Sequence, residues 1–135
     1  MRVAFDADVL IYAGAVGHPV GERIRVLLQD EAIEPVGSLL LLVEVLAKPM
    51  RRAPGSADVE ALASVLSRLE LLPLDEDAGR LALGFAVHYG LRAADAAHLA
   101  TAVTAGAAMF VTNNRKDFPQ AIAEIDVVFP DDLSI

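Results

Sequence analysis

VAFDADVLIYA, residues 3–13, starts as an apolar strand and finishes as an apolar helical turn, with Asp6 and Asp8 where one becomes the other. A chain that leaves a strand through an acid and enters a helix is the opening half of a βαβ unit. The stretch also poses an electrostatic question. Two like-charged carboxylates in apolar surroundings repel each other and resist burial, so some positive charge must make them compatible. One answer is purely structural: Asp6 N-caps the helix and Asp8 sits in its first turn, where the helix dipole favours an acid.

The rest of the chain repeats this alternation. The first strand covers residues 2–5, and a helical turn begins near Asp8. Val20, Ile24, Leu27 and Leu28 keep helical spacing up to about Asp30, and a short strand follows at residues 33–36. Ser38 reads as the N-cap of a helix over residues 39–48, with Pro49 as its stop. Residues 51–56 form a loop. Ser56 caps a helix whose stripe is Val59, Leu62, Ala63 and Leu66, and residues 71–74 read as a third strand or an extended link. Asp75 caps a helix that ends at Gly90, another helix runs over residues 93–105, and strands follow at 108–112 and 127–129 around a polar loop at 113–118. This order predicts one α/β domain over residues 1–135, three layers deep, with a central, mostly parallel sheet.

Composition narrows the function classes. A chain of 135 residues with 55% hydrophobic and 22% charged residues buries a real core and is not a disordered chain. The purely apolar run at residues 39–43 falls far short of the ~20 residues a bilayer span requires, so no membrane role is expected. With no apolar signal region after Met1-Arg2, a cytoplasmic location is the expectation. A formal charge of -8, with only eleven lysines and arginines, argues against coating nucleic acid through a general basic field. A local basic rim is still available in Lys48, Arg51, Arg52, Arg92, Arg115 and Lys116, each of which also reads as ordinary solvated charge. There is no cysteine, so any bound metal must be held by oxygen or imidazole.

Four places carry acids at positions where chemistry is done in parallel α/β sheets, at the carboxyl edge. Asp6 follows the first strand, with Asp8 beside it. Glu44, in LLLLVEVLA, has Leu40, Leu41 and Ala47 at helical spacing, which predicts a buried face and hence a need for a cation. A plain helical pair with Lys48 is the alternative. Asp95, in LRAADAAHLATA, opens a late helix; His98 shares its face but reads as packing or hydrogen bonding rather than as a ligand. In MFVTNNRKDF the last strand ends at Thr112, whose hydroxyl is placed to orient a carboxylate, and Asn113, Asn114 and Asp117 follow. Carboxylates gathered on one edge without thiols suit a hard cation, Mg2+ or Mn2+, able to activate a water for attack on a phosphodiester.

These pieces, in this order and covering nearly the whole chain, resemble the PIN-domain ribonucleases, and especially the VapC-like toxins of bacterial toxin-antitoxin pairs. The resemblance rests on VAFDADVLIYA, SLLLLVEVLAKP, LRAADAAHLATA and MFVTNNRKDF. It implies an Mg2+- or Mn2+-dependent endoribonuclease in which Asp6, Glu44 and Asp95 hold the metal and position the attacking water. The family's fourth acid lies two residues after the strand threonine, where this chain has Asn114; Asp117 is the next acid and the alternative occupant of that catalytic place. Asp8 also departs from the small polar residue usual there, and reads either as an extra ligand or as a cap. The resemblance further implies a homodimer, an RNA substrate and a small antitoxin whose basic side chains complement a chain of this charge.

Three other readings remain open on the sequence. FDADV also resembles the opening of haloacid-dehalogenase-type phosphatases, with Asp6 as nucleophile, Asp8 as general acid, and Thr112 and Lys116 on the phosphate. That reading leaves Glu44 without a task. A receiver domain would need a phospho-acceptor such as Asp75. A catalytically inactive PIN-like binding module is kept in play by Asn114.

Overall fold

The computed structural model describes residues 1–119 and 121–133. Its elements are β1 (Arg2–Phe5), α1 (Ala7–Ala13), α2 (Pro19–Leu28), β2 (Glu34–Ser38), α3 (Leu41–Arg52), α4 (Ala57–Leu66), β3 (Glu70–Leu72), α5 (Glu76–Tyr89), α6 (Ala93–Thr104), β4 (Met109–Val111) and β5 (Asp126–Val128), with a short 3-10 turn at Pro130–Asp132. No helix among the described residues is long and apolar enough to cross a membrane.

The five strands form one sheet in the order β3-β2-β1-β4-β5, and every pairing is parallel. From β1 the chain steps outward to β2 and β3, then returns across the sheet to β4 and β5. Right-handed crossovers require the outward and returning connections to lie on opposite faces. The packing agrees. One core gathers Val9, Leu10, Ile24, Leu41, Val45, Leu62 and Leu66 from α1 to α4, and the other gathers Ala82, Phe85, Leu99 and Ala102 from α5 and α6. Strand β1 feeds both by alternation, Val3 and Phe5 into the first core and Ala4 into the second. The result is the expected three-layer α/β/α architecture.

Two local expectations are corrected. Ser38 is the last residue of β2 rather than a helix cap; its hydroxyl accepts the Leu40 N–H at 3.1 Å, and α3 starts at Leu41 without a side-chain cap. Pro49 does not stop α3. It lies inside the helix, and the Ala53 N–H closes the last turn onto the Pro49 carbonyl at 2.9 Å. Proline removes one N–H and crowds the turn before it, but its fixed φ is helical and places no bar on the residues that follow.

Gly21 explains the tight joint between α1 and α2. A Cβ there would stand 2.0 Å from the Tyr12 carbonyl oxygen, so only glycine allows this approach. The topology now fixes where a ligand belongs: β1 and β4 are neighbours whose outgoing connections diverge, and a crevice opens at their carboxyl ends.

Candidate active site

Register brings Asp6 and Thr112 together. Phe5 pairs with Val111, and the Asp6 N–H donates to the Val111 carbonyl at 2.9 Å, so the residues after β1 and β4 emerge side by side. Asp6 is only 5% exposed. Its Oδ1 accepts the Ala7 N–H at 2.8 Å as the helix cap, and its Oδ2 accepts the Thr112 hydroxyl at 2.7 Å. Capping and site-building are therefore done by one carboxylate, one oxygen each. The Thr112 oxygen in turn accepts the Asn114 N–H at 3.1 Å. Asp8 accepts the Val9 N–H at 2.7 Å and the Asn113 N–H at 3.1 Å, which ties the loop after β4 to the start of α1.

Two further acids face the same space from other elements. Glu44 lies in the first turn of α3 and Asp95 in the first turn of α6, just as Asp8 does in α1. Asp6, Asp8, Glu44 and Asp95, with Ile11, Tyr12, Asn113 and Asn114, line one cleft of about 470 Å³. Three helix N-termini thus aim their positive ends toward the acids. Glu44 differs from expectation in one respect: its side chain is 36% exposed, at the rim rather than on a buried face. Leu41 and Val45 turn inward instead, and the α3 backbone carries Glu44 to the boundary between core and solvent. Its partner is His98, whose Nε2 bonds to Glu44 Oε1. The helical pair of Glu44 with Lys48 does not form among the described residues.

No lysine or arginine among the described residues forms an ion pair with any of these four acids. Their titration reflects that. Burial pushes the Asp6 carboxyl above the ordinary carboxylate range, more than the nearby His98 and the Thr112 hydroxyl pull it back. Burial, and then the charge of Asp6, carry Asp8 up to about 6. Asp95 is raised by burial first and then by Asp6 and Asp117. For His98, burial disfavours the charged ring but is outweighed by the bond to Glu44 and by the charges of Asp6, Glu44 and Asp95, so its pKa rises.

The donors fit a divalent ion. They are carboxylate oxygens from separate elements around one solvent-filled cleft, the donor type that Mg2+ and Mn2+ prefer. In this conformation no three His, Asp or Glu side chains among the described residues close into a direct cage. Mg2+ commonly keeps several waters and is held by one or two carboxylates, so a water-bridged ion suits this spacing.

The remaining candidates separate into near and far. Asn114 lines the cleft; Asp117 stands behind it, accepting from Asn114 Nδ2 at 2.9 Å and donating its N–H to Asn114 Oδ1 at 3.3 Å, close enough to act on Asp95. Lys48 and Arg52 border a second groove of about 460 Å³ that shares Ile11 and Glu44 with the acid cleft, and Arg51 is exposed on the same last turn of α3. Arg92 is exposed at the start of α6. Arg115 is engaged elsewhere: its guanidinium lies 4.2 Å over the Phe129 ring and 3.5 Å from Asp131. Lys116 is exposed. The phosphatase and receiver arrangements do not assemble, since the Thr112 hydroxyl is spent on Asp6, and Asp75 caps α5 through the Ala78 N–H at 2.9 Å and does not line the cleft. The hydrogen-bonding reading of His98 holds, but its spacing from Asp95 marks only a shared face and does not reveal that the partner is a glutamate 54 positions away.

Solved structures share this fold at low identity. A toxin-antitoxin complex from Klebsiella pneumoniae is similar at 21% identity and a TM-score of 0.75, covering 97% of this chain and 99% of the other. VapBC2 from Rickettsia felis, bound to a promoter DNA fragment, gives 19% identity and a TM-score of 0.73 over 96% and 98%. VapC20 of Mycobacterium tuberculosis, described as a sarcin-ricin loop cleaving toxin, gives 16% identity and a TM-score of 0.66 over 92% and 98%. No curated protein matches the chain by sequence. The family described as the PIN domain has a sequence model that matches residues 3–123, and the chain belongs to that family.

Proposed function

We propose that this chain is an Mg2+- or Mn2+-dependent endoribonuclease and the toxin of a toxin-antitoxin pair. One observation carries the reading: Asp6, Asp8, Glu44 and Asp95, from three separate stretches of sequence, line a single cleft at the switch point of a parallel sheet, and among the described residues no lysine or arginine pairs with them. Family membership supports it, as do structural neighbours whose own descriptions name toxin-antitoxin complexes and a toxin that cleaves the sarcin-ricin loop.

Asp6, Glu44 and Asp95 would hold the ion, with Asp8 as an additional oxygen donor. When bound, the ion supplies Lewis acidity to the phosphodiester and lowers the effective repulsion among the acids. The chain's own part is positioning. Asp6 is rigid because both of its oxygens are fixed, by the Ala7 N–H and the Thr112 hydroxyl. Asp95 and Glu44 orient the attacking water by accepting its hydrogens from two sides of the cleft. Asn114, held by Asp117, contributes a neutral amide where the family's fourth acid would stand. Water's oxygen would form the new bond to phosphorus and give up a proton to a site carboxylate, while the bond to the leaving ribose oxygen breaks and that oxygen takes up a proton in turn. Lys48, Arg51, Arg52 and Arg92 would contact neighbouring phosphates of the RNA. A homodimer and a small antitoxin with basic side chains complete the proposal, the latter favoured by the charge of -8.

The test is RNA cleavage with Mg2+ or Mn2+ and with chelator, in the parent and in Asp6→Asn, Glu44→Gln and Asp95→Asn variants. The proposal expects metal-dependent cleavage lost in all three folded variants. Cleavage that persists in chelator or in the variants would refute it, and RNA binding without cleavage by the parent would favour the inactive binding module.

A further inference from the structure

His98 sits one turn after Asp95 on α6, and only 2% of it is exposed, among Ala96, Ala97, Leu99 and Ala100. A polar ring in that apolar setting needs its nitrogens satisfied. Only one is. Nε2 bonds to Glu44 Oε1 across from α3, while Nδ1 is buried with no partner among the described residues. A histidine kept for the core alone has no reason to spend its single bond on a glutamate at the solvent rim. From the side of Glu44 the contact is more telling, because its flexible side chain has no other hydrogen-bond partner among the described residues.

We infer that His98 is a positioning residue: through Nε2 it holds the Glu44 carboxylate at the cleft by Oε1, leaving Oε2 as the oxygen available to an ion or to water. The inference rests on the metal-dependent reading above and deepens it. Hydrogen-bonded partners behind a metal-binding carboxylate typically change metal affinity or activity by roughly 10–100-fold when removed.

Bond counting supplies the discriminating variants. Glutamine carries its amide nitrogen the same number of bonds from Cβ as imidazole Nε2, whereas asparagine carries its own one bond short, where Nδ1 stands. His98→Gln should therefore restore the donor to Glu44, and His98→Asn and His98→Leu should not. Mn2+ affinity by calorimetry and RNA cleavage are measured for each variant and for His98→Leu in a Glu44→Ala background. The expected result is a loss of roughly 10–100-fold for Leu and Asn, near-parental behaviour for Gln, and no further loss from Leu once Glu44 is gone. Parental Mn2+ affinity in His98→Leu would overturn the inference, as would a Gln variant as impaired as Leu, or full additivity with Glu44→Ala. Should Leu and Asn fail to fold, nitrogen-15 NMR of the histidines decides. The His98 ring N–H should be protected from exchange in the parent and lose that protection in Glu44→Ala, and an unchanged signal overturns the inference. A parent that binds no Mn2+ would sink the inference and the metal-dependent reading together. Mn2+ binding without RNA cleavage would sink the nuclease reading alone, and the variants' Mn2+ affinities would still decide the role of His98.

Discussion

Raising the pH of the metal-free chain from about 5 to about 8 is expected to destabilise it, because its site acids prefer to hold protons in the folded state. Burial, and then Asp6, raise Asp8 from 3.8 to about 6. A carboxyl whose folded pKa exceeds its unfolded one contributes stability that is complete below the unfolded value and lost as pH climbs through the folded value, here between 3.8 and about 6. His98, also raised, adds the same sign higher up, its contribution being complete below 6.5 and lost above that. Between pH 5 and the folded value of about 6, at ~1.4 kcal/mol per pH unit, the rise of Asp8 is worth at most ~1.4 kcal/mol. Asp8 is half-buried, and screening by water brings this to ~0.7–1 kcal/mol. For a domain of this size that lowers the melting temperature by roughly 2–5 °C. Calorimetric melts in chelator across this pH range measure it directly. Asp8→Asn removes one titration and should flatten the profile and raise the melting temperature near the alkaline end, less the weakening of one backbone bond, since an amide offers a single acceptor oxygen. A melting temperature that holds or rises with pH in chelator, or an undiminished profile in Asp8→Asn, would refute the electrostatic reasoning.

Three further outcomes follow from the same geometry. Millimolar Mg2+ or Mn2+ should raise the melting temperature more at pH 8 than at pH 5, because the ion competes with protons for the acids, and chelator should reverse the gain. Thr112→Val, nearly isosteric at a fully buried position, removes the hydroxyl that donates to Asp6 and should cost ~2–3 kcal/mol near pH 8 and less near pH 5, as measured by urea unfolding. Gly21→Ala places a Cβ 2.0 Å from the Tyr12 carbonyl and should cost at least ~1–3 kcal/mol by forcing α2 off α1, also measured by urea unfolding.

Strand and helix order was legible because period-two and helical spacing differ, and the Asp6 and Thr112 edges followed once parallel strands were assumed. The acids at Asp6, Asp8 and Asp95 could be placed because each follows a strand end or opens a helix, and those points converge in a parallel sheet. Less was legible where a residue's role depends on what meets it in space. Leu40, Leu41 and Ala47 suggested a buried face for Glu44, yet only Leu41 of the three is buried, since the sheet, not the helix, decides which part of the apolar stripe faces inward. Pro49 looked like a terminator because local rules penalise proline within helices, and the cost is tolerated here on a half-exposed turn. The Glu44–His98 bond spans two helices on opposite faces of the sheet, and no local pattern encodes it. Arg115 shows the same limit, its partners Phe129 and Asp131 being brought to it only by β5.

The central claim, that these acids share a divalent ion, is tested most directly by anomalous diffraction from crystals soaked in Mn2+. A manganese peak is expected in the cleft bordered by Asp6, Glu44 and Asp95. A cleft without a peak at saturating Mn2+, or a peak only at surface acids remote from Asp6, would contradict it.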